Sequence, residues 1–166
     1  KKLFSESSIF QFGDSGAGVI TQDFFQNSFP NWKAPKNSPR WIPDLNPDNN
    51  DWLKITLNDL YVKIGSFYPD IKMSQFSTTH DDIQIFFHEI MGGAPDEWPS
   101  LLKNNLSSLS QDLSQFKYYK GPGSDHCLLP YDRFYSTKSN DVLFREWFSD
   151  YINNEDVENV DCVDCS

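Results

Sequence analysis

The sequence predicts an α/β fold in which a mostly parallel sheet is flanked by helices. Three short runs rich in aromatic and apolar residues predict strands, at 8–12, 71–76 and 116–120. Helical patterns separate these runs, and strands that alternate with helices pair in parallel through right-handed crossovers. With 166 residues, the chain is long enough for one domain with a substantial core.

Five segments carry helical spacing, with stop signals such as Pro69 after the second and Gly92-Gly93 after the third. The predicted helices are 19–29, 57–67, 81–91, 97–113 and 141–151. The segment 31–51 is rich in proline and tryptophan, and it predicts an ordered excursion because aromatic rings are costly to leave in water. This excursion is a candidate cap over a binding pocket, or an irregular packed loop.

Composition excludes some partners. A net charge of -10 argues against nucleic acid and anionic membrane surfaces, since both require basic patches. No apolar run approaches the roughly 20 residues that span a bilayer. Acidic residues concentrate in a cysteine-containing tail, 153–166, which predicts a solvated end.

The three cysteines are an odd number, so at least one thiol stays outside any disulfide within the chain. Cys162 and Cys165 are too few for a structural zinc site, which needs about four ligands. We expect a disulfide that joins Cys127 to one of the two tail cysteines. Such a bond implies an oxidising compartment and hence a secreted or extracytoplasmic location.

A possible nucleophile follows the first predicted strand, in the segment 13–18, GDSGAG. The serine of an α/β-hydrolase lies on a sharp strand-to-helix turn of pattern G-x-S-x-G, where small neighbours avoid collision with strand and helix. Gly13, Gly16 and Ala17 supply small side chains around Ser15, although Ala17 replaces the last glycine of the pattern. An ordinary turn is the alternative.

Chain order separates this pattern from the similar GDSG segment of trypsin-like proteases. Those enzymes place their histidine and aspartate before the serine. No histidine precedes Ser15, whereas His80, His88 and His126 all follow it. The order serine, acid, histidine of the α/β-hydrolases therefore remains available.

Candidates for the base and the acid follow the later strands. His126 lies in the loop after the third strand, at the carboxyl edge of the sheet where catalysis gathers, and is the candidate base. Asp81 or Asp82, after the second strand, would orient the imidazole, although either could instead cap the helix that follows. We expect surface or packing roles for His80 and His88.

Three motifs together resemble the pectin acetylesterase and Notum family of α/β-hydrolase-like serine carboxylesterases. They are the GDS turn at 13–15, Asp-x-x-Gln at 81–84, and the pair His126-Cys127 followed by Phe134-Tyr135. The resemblance covers most of the chain, with the motifs in the family's order.

The resemblance implies a triad of Ser15, Asp81 and His126, with the Gly16 amide as one oxyanion donor. It also implies a serine esterase without metal or organic cofactor, which removes O-acetyl groups from a polysaccharide such as pectin. Substrate-binding residues remain unassigned. A carboxylesterase acting on lipid esters, like Notum, shares this mechanism but needs a deep apolar pocket. A non-catalytic carbohydrate-binding or interaction module on the same fold is the third hypothesis.

One departure from the family concerns the oxyanion hole. The family carries a glycine-rich loop upstream of the nucleophile, and nothing like it occurs before Ser15. We therefore expect the chain, 1–166, to be the C-terminal portion of a hydrolase domain. The upstream part of the same polypeptide would then supply the N-terminal strands and the second oxyanion donor.

Overall fold

The computed structural model describes residues 6–28, 30–163 and 165. Its main sheet contains β1 (Phe10–Asp14), β2 (Lys72–Thr78) and β3 (Phe116–Gly121). The strands lie in that spatial order, and both neighbouring pairs are parallel. The predicted α/β architecture, a parallel sheet flanked by helices, is thus confirmed, while its assignment to the hydrolase fold stays a prediction.

Five helices accompany the sheet in the described part of the chain. They are α1 (Gln22–Ser28), α2 (Leu57–Phe67), α3 (Asp82–Ile90), α4 (Trp98–Asp112) and α5 (Phe144–Ile152). The first begins three residues later than predicted, and Phe29, the last residue of that prediction, lies outside the described residues. Among the described residues, none of the helices has the length and apolar character that crossing a membrane requires.

A capping box explains where α2 begins. The Thr56 hydroxyl accepts a hydrogen bond from the Asp59 N–H, and the Asp59 carboxylate accepts one from the Thr56 N–H. Each group satisfies a backbone donor that a helix terminus otherwise leaves unpaired.

The two faces of the sheet carry separate cores, because successive side chains of a strand point to opposite sides. Met73, Phe116 and Tyr118 pack on one face against leucines of α4. Phe76 and Tyr119 pack on the other face against aromatic residues of α5. The strands are therefore held from both sides up to the edge where they end.

A short hairpin precedes α5 and replaces the start of the predicted helix 141–151. Its strands are β4 (Lys138–Ser139) and β5 (Val142–Leu143), which pair antiparallel. Asn140 and Asp141 between them have φ values of 47° and 65°. Positive φ at both central residues is typical of the tight turns that match strand twist.

The acidic tail is solvated only in part: its described carboxylates are exposed, but two of its valines are not. Val160 forms a parallel bridge beside Tyr119, with its N–H donating to the Tyr118 carbonyl at 2.9 Å. Val157 and Val160 are buried against the α5 side of the sheet. Burial of the two valines stabilises the tail on the sheet, while Glu158 between them keeps its carboxylate at the surface.

The expected disulfide between Cys127 and the tail is also wrong. Cys162 and Cys165 are joined to each other, and Cys127 is free. The Cys127 backbone is held at the Ser15 turn, where its N–H donates to the Ser15 hydroxyl. The tail cysteines, three residues apart with a Cα separation of 5.5 Å, meet the geometric requirement for a local bridge.

The excursion 31–51 packs against the rest of the chain. Ile42 and Leu45 are buried, and the Trp41 indole N–H donates to the Tyr68 hydroxyl at 2.8 Å. Among the described residues, none from this segment lines the cavity at Ser15. Its role as a cap stays a prediction.

Candidate active site

Ser15 occupies a strained turn directly after β1. Its φ is 59°, and its N–H donates to the Phe76 carbonyl on β2 at 2.9 Å. Positive φ is uncommon for residues other than glycine, and it clusters at functional sites because surrounding structure must hold it in place. The geometry is compatible with the strand-to-helix turn that holds a nucleophilic serine.

Of the three positions predicted to need a small residue, only Ala17 is sterically restricted in the structure. A Cβ at Gly16 would meet nothing within 4 Å, and one at Gly13 would make only ordinary contact. Gly18 has a φ of 70°, and a Cβ there would lie 2.7 Å from the Leu57 side chain. Ala17 is 1% exposed, so the steric limit falls on Ala17 and Gly18.

Asp81 is the carboxylate that faces the candidate base, which resolves the choice between Asp81 and Asp82. It is completely buried and caps α3, where its Oδ1 accepts the Gln84 N–H at 2.9 Å. Asp82 is exposed in the first turn of the same helix. One aspartate therefore serves both as helix cap and as partner of the histidine.

His126 contacts this carboxylate. Its Nδ1 lies 3.0 Å from Oδ1 and 3.1 Å from Oδ2 of Asp81. The loop that carries His126 is anchored by Thr78, whose hydroxyl donates to the Asp125 carbonyl, and by Arg133, whose guanidinium donates to the His126 carbonyl. A buried carboxylate at Nδ1 directs the imidazole N–H to that nitrogen and leaves Nε2 as the acceptor.

The hydroxyl of Ser15 is bonded to the residue after the histidine. Its Oγ accepts the Cys127 N–H at 2.8 Å, and no hydrogen bond joins Ser15 to His126 within the described residues. Because Oγ is the acceptor in this contact, its own proton stays available. Contacts between nucleophile and base are often long without substrate, so the acid–base half of a triad is formed here and the serine–base half is open.

Ser15 and His126 line one cavity of about 310 Å³. Most of its wall is apolar, and the apolar side chains come from four parts of the fold: Val19, Ile20, Leu57, Phe87, Met91 and Trp98. Trp98 is 1% exposed, so this wall is continuous with the core. The Ser15 hydroxyl and the His126 imidazole thus lie beside a mostly apolar surface.

The Gly16 amide makes no hydrogen bond in the part of the chain that the structure describes, whereas the neighbouring Ala17 amide is occupied by the Gln84 side chain at 3.2 Å. The Gly16 N–H is thus free to bind a developing negative charge.

Gln84 is a site residue whose role sequence reasoning missed. Its Nε2 donates to Asp81 Oδ2 and to the Ser77 hydroxyl, both at 2.8 Å, and its Oε1 accepts the Ala17 N–H. One side chain therefore ties the acid to the nucleophile turn. The Asp-x-x-Gln spacing was visible in the sequence, and it places the two side chains on the first turn of one helix.

Asp14 is the second such residue. Its carboxylate accepts the N–H groups of Leu128 and Leu129, each at 2.9 Å. These bonds fasten the loop after His126 to the residue before Ser15. The signal was the aspartate of the GDS motif, but its partners lie more than a hundred residues away in the chain.

We predict that Asp14→Ala frees this loop. Loss of the carboxylate leaves the buried Leu128 N–H without a partner, which should lower the free energy of unfolding by about 1–3 kcal/mol. Amide hydrogen exchange at Leu128 and Leu129 should accelerate relative to the strands. Asp132→Ala removes an exposed aspartate a few residues further along and should change neither quantity; equal exchange in the two variants would contradict the assignment.

The Cys127 thiol is not a competing nucleophile. Burial raises its pKa, and the negative charges of Asp14 and Asp81 raise it further. The thiolate is the reactive form, so this thiol stays protonated and weakly reactive at neutral pH.

The other two histidines lie apart from the Ser15 cavity. His88 is buried in α3 with its ring 5.9 Å from that of Trp98, and it has a packing role. His80 Nε2 lies 3.2 Å from the Cys165 carbonyl. Within the described residues, no group of three or more His, Cys, Asp and Glu side chains is arranged to hold a metal ion.

Comparisons with known protein families, curated proteins and solved structures found no match for the chain. The function is therefore inferred from the geometry around Ser15.

Proposed function

We propose that the protein is a serine esterase with Ser15 as nucleophile, His126 as general base and Asp81 as the acid that orients it. The observation that carries this proposal is the hydrogen bond between Asp81 and His126 beside a serine on a positive-φ turn. Nucleophile turn, base and buried acid follow three neighbouring parallel strands, in the chain order of the α/β-hydrolases.

The reaction has two halves. Ser15 Oγ attacks the ester carbonyl carbon, and His126 Nε2 takes the hydroxyl proton while Asp81 stabilises the imidazolium. The carbonyl oxygen becomes negatively charged and accepts a hydrogen bond from the Gly16 N–H. The intermediate collapses, the alcohol leaves with the proton from His126, and water then repeats the sequence to release the acid and restore Ser15.

A second oxyanion donor belongs to this proposal, since removing one donor from such a site typically costs about 10²- to 10³-fold in rate. β1, which ends at Ser15, is the edge strand of the described sheet. A strand paired on its free side would bring a loop next to the nucleophile. We expect this strand and donor from the upstream part of the same polypeptide, as the family resemblance implies.

By resemblance the substrate is an O-acetyl ester of a polysaccharide, and no cofactor takes part. The Cys162–Cys165 disulfide supports a secreted or extracytoplasmic location, because disulfides persist in oxidising compartments.

Fluorophosphonate labelling of the intact polypeptide tests the nucleophile. We expect covalent labelling of the wild type and none of Ser15→Ala. Ser66→Ala is the matched control, because Ser66 is an exposed serine on α2, and it should label like the wild type. Equal labelling of wild type and Ser15→Ala would refute the proposal, as would a label mapped by mass spectrometry to another residue.

A carboxylesterase for lipid esters is the second candidate, and one observation favours it. Four large apolar side chains on one face of α3 are exposed, and one of them, Phe87, also lines the Ser15 cavity: Ile83, Phe86, Phe87 and Ile90. Rates with acetyl, butyryl and octanoyl esters of 4-nitrophenol distinguish the two. An acetylesterase should be fastest with the acetyl ester, and a lipid esterase with the octanoyl ester.

A further inference from the structure

A second cavity adjoins the one at Ser15, between α1, α2 and α4. Its volume is about 370 Å³, and it shares Gly18, Val19, Ile20 and Leu57 with the Ser15 cavity. The two cavities are thus neighbours, so that a substrate with its ester carbonyl at Ser15 could extend its other part toward this space. We call it the amide cavity, after the side chains that line it.

The wall of the amide cavity is polar but uncharged. Its polar side chains are four amides and a hydroxyl: Gln22, Thr56, Asn58, Asn104 and Asn105. Apolar side chains of Phe25, Leu57 and Leu101 complete the lining. No Lys, Arg, Asp or Glu is among the described residues that line it.

Two of the amides are free to bind a ligand. The side chains of Asn58 and Asn104 make no hydrogen bond within the described residues, whereas Asn105 donates to the Ala17 carbonyl. Each free amide offers a donor group and an acceptor oxygen. Sugar hydroxyl groups also donate and accept hydrogen bonds, so they can bond to both the NH₂ group and the oxygen of an amide. The apolar side chains can pack against the C–H groups of the sugar ring.

Charge selects among sugars. A carboxylate in this cavity would find no cation among the lining residues to offset any hydration that it loses. The net charge of -10 adds repulsion at longer range. The amide cavity is thus suited to uncharged sugars and unsuited to polyuronates.

We propose that the amide cavity binds the sugar part of the substrate and that this sugar is uncharged. The substrate is then an acetyl ester of a neutral saccharide rather than of a polyuronate such as pectin. This inference rests on the proposed esterase function for the ester, and on Asn58 and Asn104 for the sugar.

The test compares kcat/KM of the intact polypeptide for an acetylated xylo-oligosaccharide and an acetylated oligogalacturonide. We expect at least a ten-fold preference for the neutral substrate. Asn58→Ala and Asn104→Ala should each lower kcat/KM for that substrate by about five-fold, the worth of one hydrogen bond. Asn153→Ala is the control, because Asn153 directly follows α5, on the other face of the sheet from α4. It should leave unchanged both kcat/KM for the neutral substrate and hydrolysis of 4-nitrophenyl acetate, which is too small to reach the cavity.

Equal or better kcat/KM with the oligogalacturonide would overturn the inference, as would asparagine variants that retain wild-type values for the neutral substrate. Failure of the esterase proposal is seen separately, as absence of 4-nitrophenyl acetate hydrolysis. In that case, binding of a xylo-oligosaccharide without acetyl groups tests whether the amide cavity binds a neutral sugar. Shifts of the Asn58 and Asn104 side-chain amide resonances with this sugar, and not with oligogalacturonide, support the cavity's role; no shifts with it refute that role.

Discussion

Asp81→Asn should lower kcat for ester hydrolysis by about 10⁴-fold, the loss known for the equivalent change in serine proteases, while the cap of α3 is kept. Asparagine is as good a helix N-cap as aspartate, so its carbonyl oxygen still accepts the Gln84 N–H and α3 keeps its first turn. The other oxygen becomes an NH₂ group that faces His126 Nδ1. An NH₂ group that donates to Nδ1 favours the tautomer with the proton on Nε2, and in that tautomer Nε2 cannot take the proton of Ser15.

Gln84 makes this change harder to accommodate. Its Nε2 donates to Asp81 Oδ2, so an NH₂ at that position would meet another donor. Turning the Gln84 amide over would remove the acceptor of the Ala17 N–H and disturb the nucleophile turn. The site should be inactive whether the Gln84 amide keeps its orientation or turns over, so local rearrangement should not restore activity.

The measurement is kcat for 4-nitrophenyl acetate together with denaturant unfolding. Asp82→Asn is the matched control, since it removes the neighbouring, exposed carboxylate from the same helix turn. Its kcat should stay within about a factor of two, because surface substitutions have small effects. An Asp81→Asn protein with wild-type kcat would show that Asp81 only caps the helix.

Sequence patterns predicted the elements whose signals are local. The helix 57–67 was predicted with the bounds of α2, because its spacing is helical and Pro69 follows its end. The proximity of Asp81 and His126 could also be predicted from the sequence, because parallel strands end at one edge of the sheet and each of the two residues follows a strand. That logic places the residues near each other without giving their contacts.

Contacts between distant loops could not be derived in the same way. Asp14 bonds the amides of Leu128 and Leu129, and the Cys127 amide bonds Ser15, and all of these depend on how two turns meet in space. Backbone amides carry no residue-specific signal, so no pattern marks them. The two-residue strands β4 and β5 are too short for periodicity.

Phe144→Ala should cost about 3–5 kcal/mol of unfolding free energy, a large share of the roughly 5–15 kcal/mol typical of a domain. Phe144 is completely buried, and aromatic rings surround it at centroid distances of 5.2 to 6.1 Å: Phe12, Phe76, Tyr119, Phe134, Trp147 and Phe148. These rings belong to every strand of the main sheet, to α5 and to the segment after His126. Removing the central ring leaves a cavity that six neighbours cannot all close, because each is fixed by its own strand, helix or turn.

Denaturant unfolding of two further variants makes the prediction specific. Phe144→Leu keeps most of the volume and should cost less than about 1.5 kcal/mol, so a loss as large as that of alanine would point to ring geometry rather than volume. Phe86→Ala removes a ring that is 54% exposed on α3 and should change stability by no more than about 0.5 kcal/mol. Equal stabilities of the Phe144→Ala and Phe86→Ala proteins would contradict the central place of Phe144. Since Phe12 lies on the strand that leads to Ser15, we also expect the Ser15 amide to exchange hydrogen faster in the Phe144→Ala protein than in the wild type.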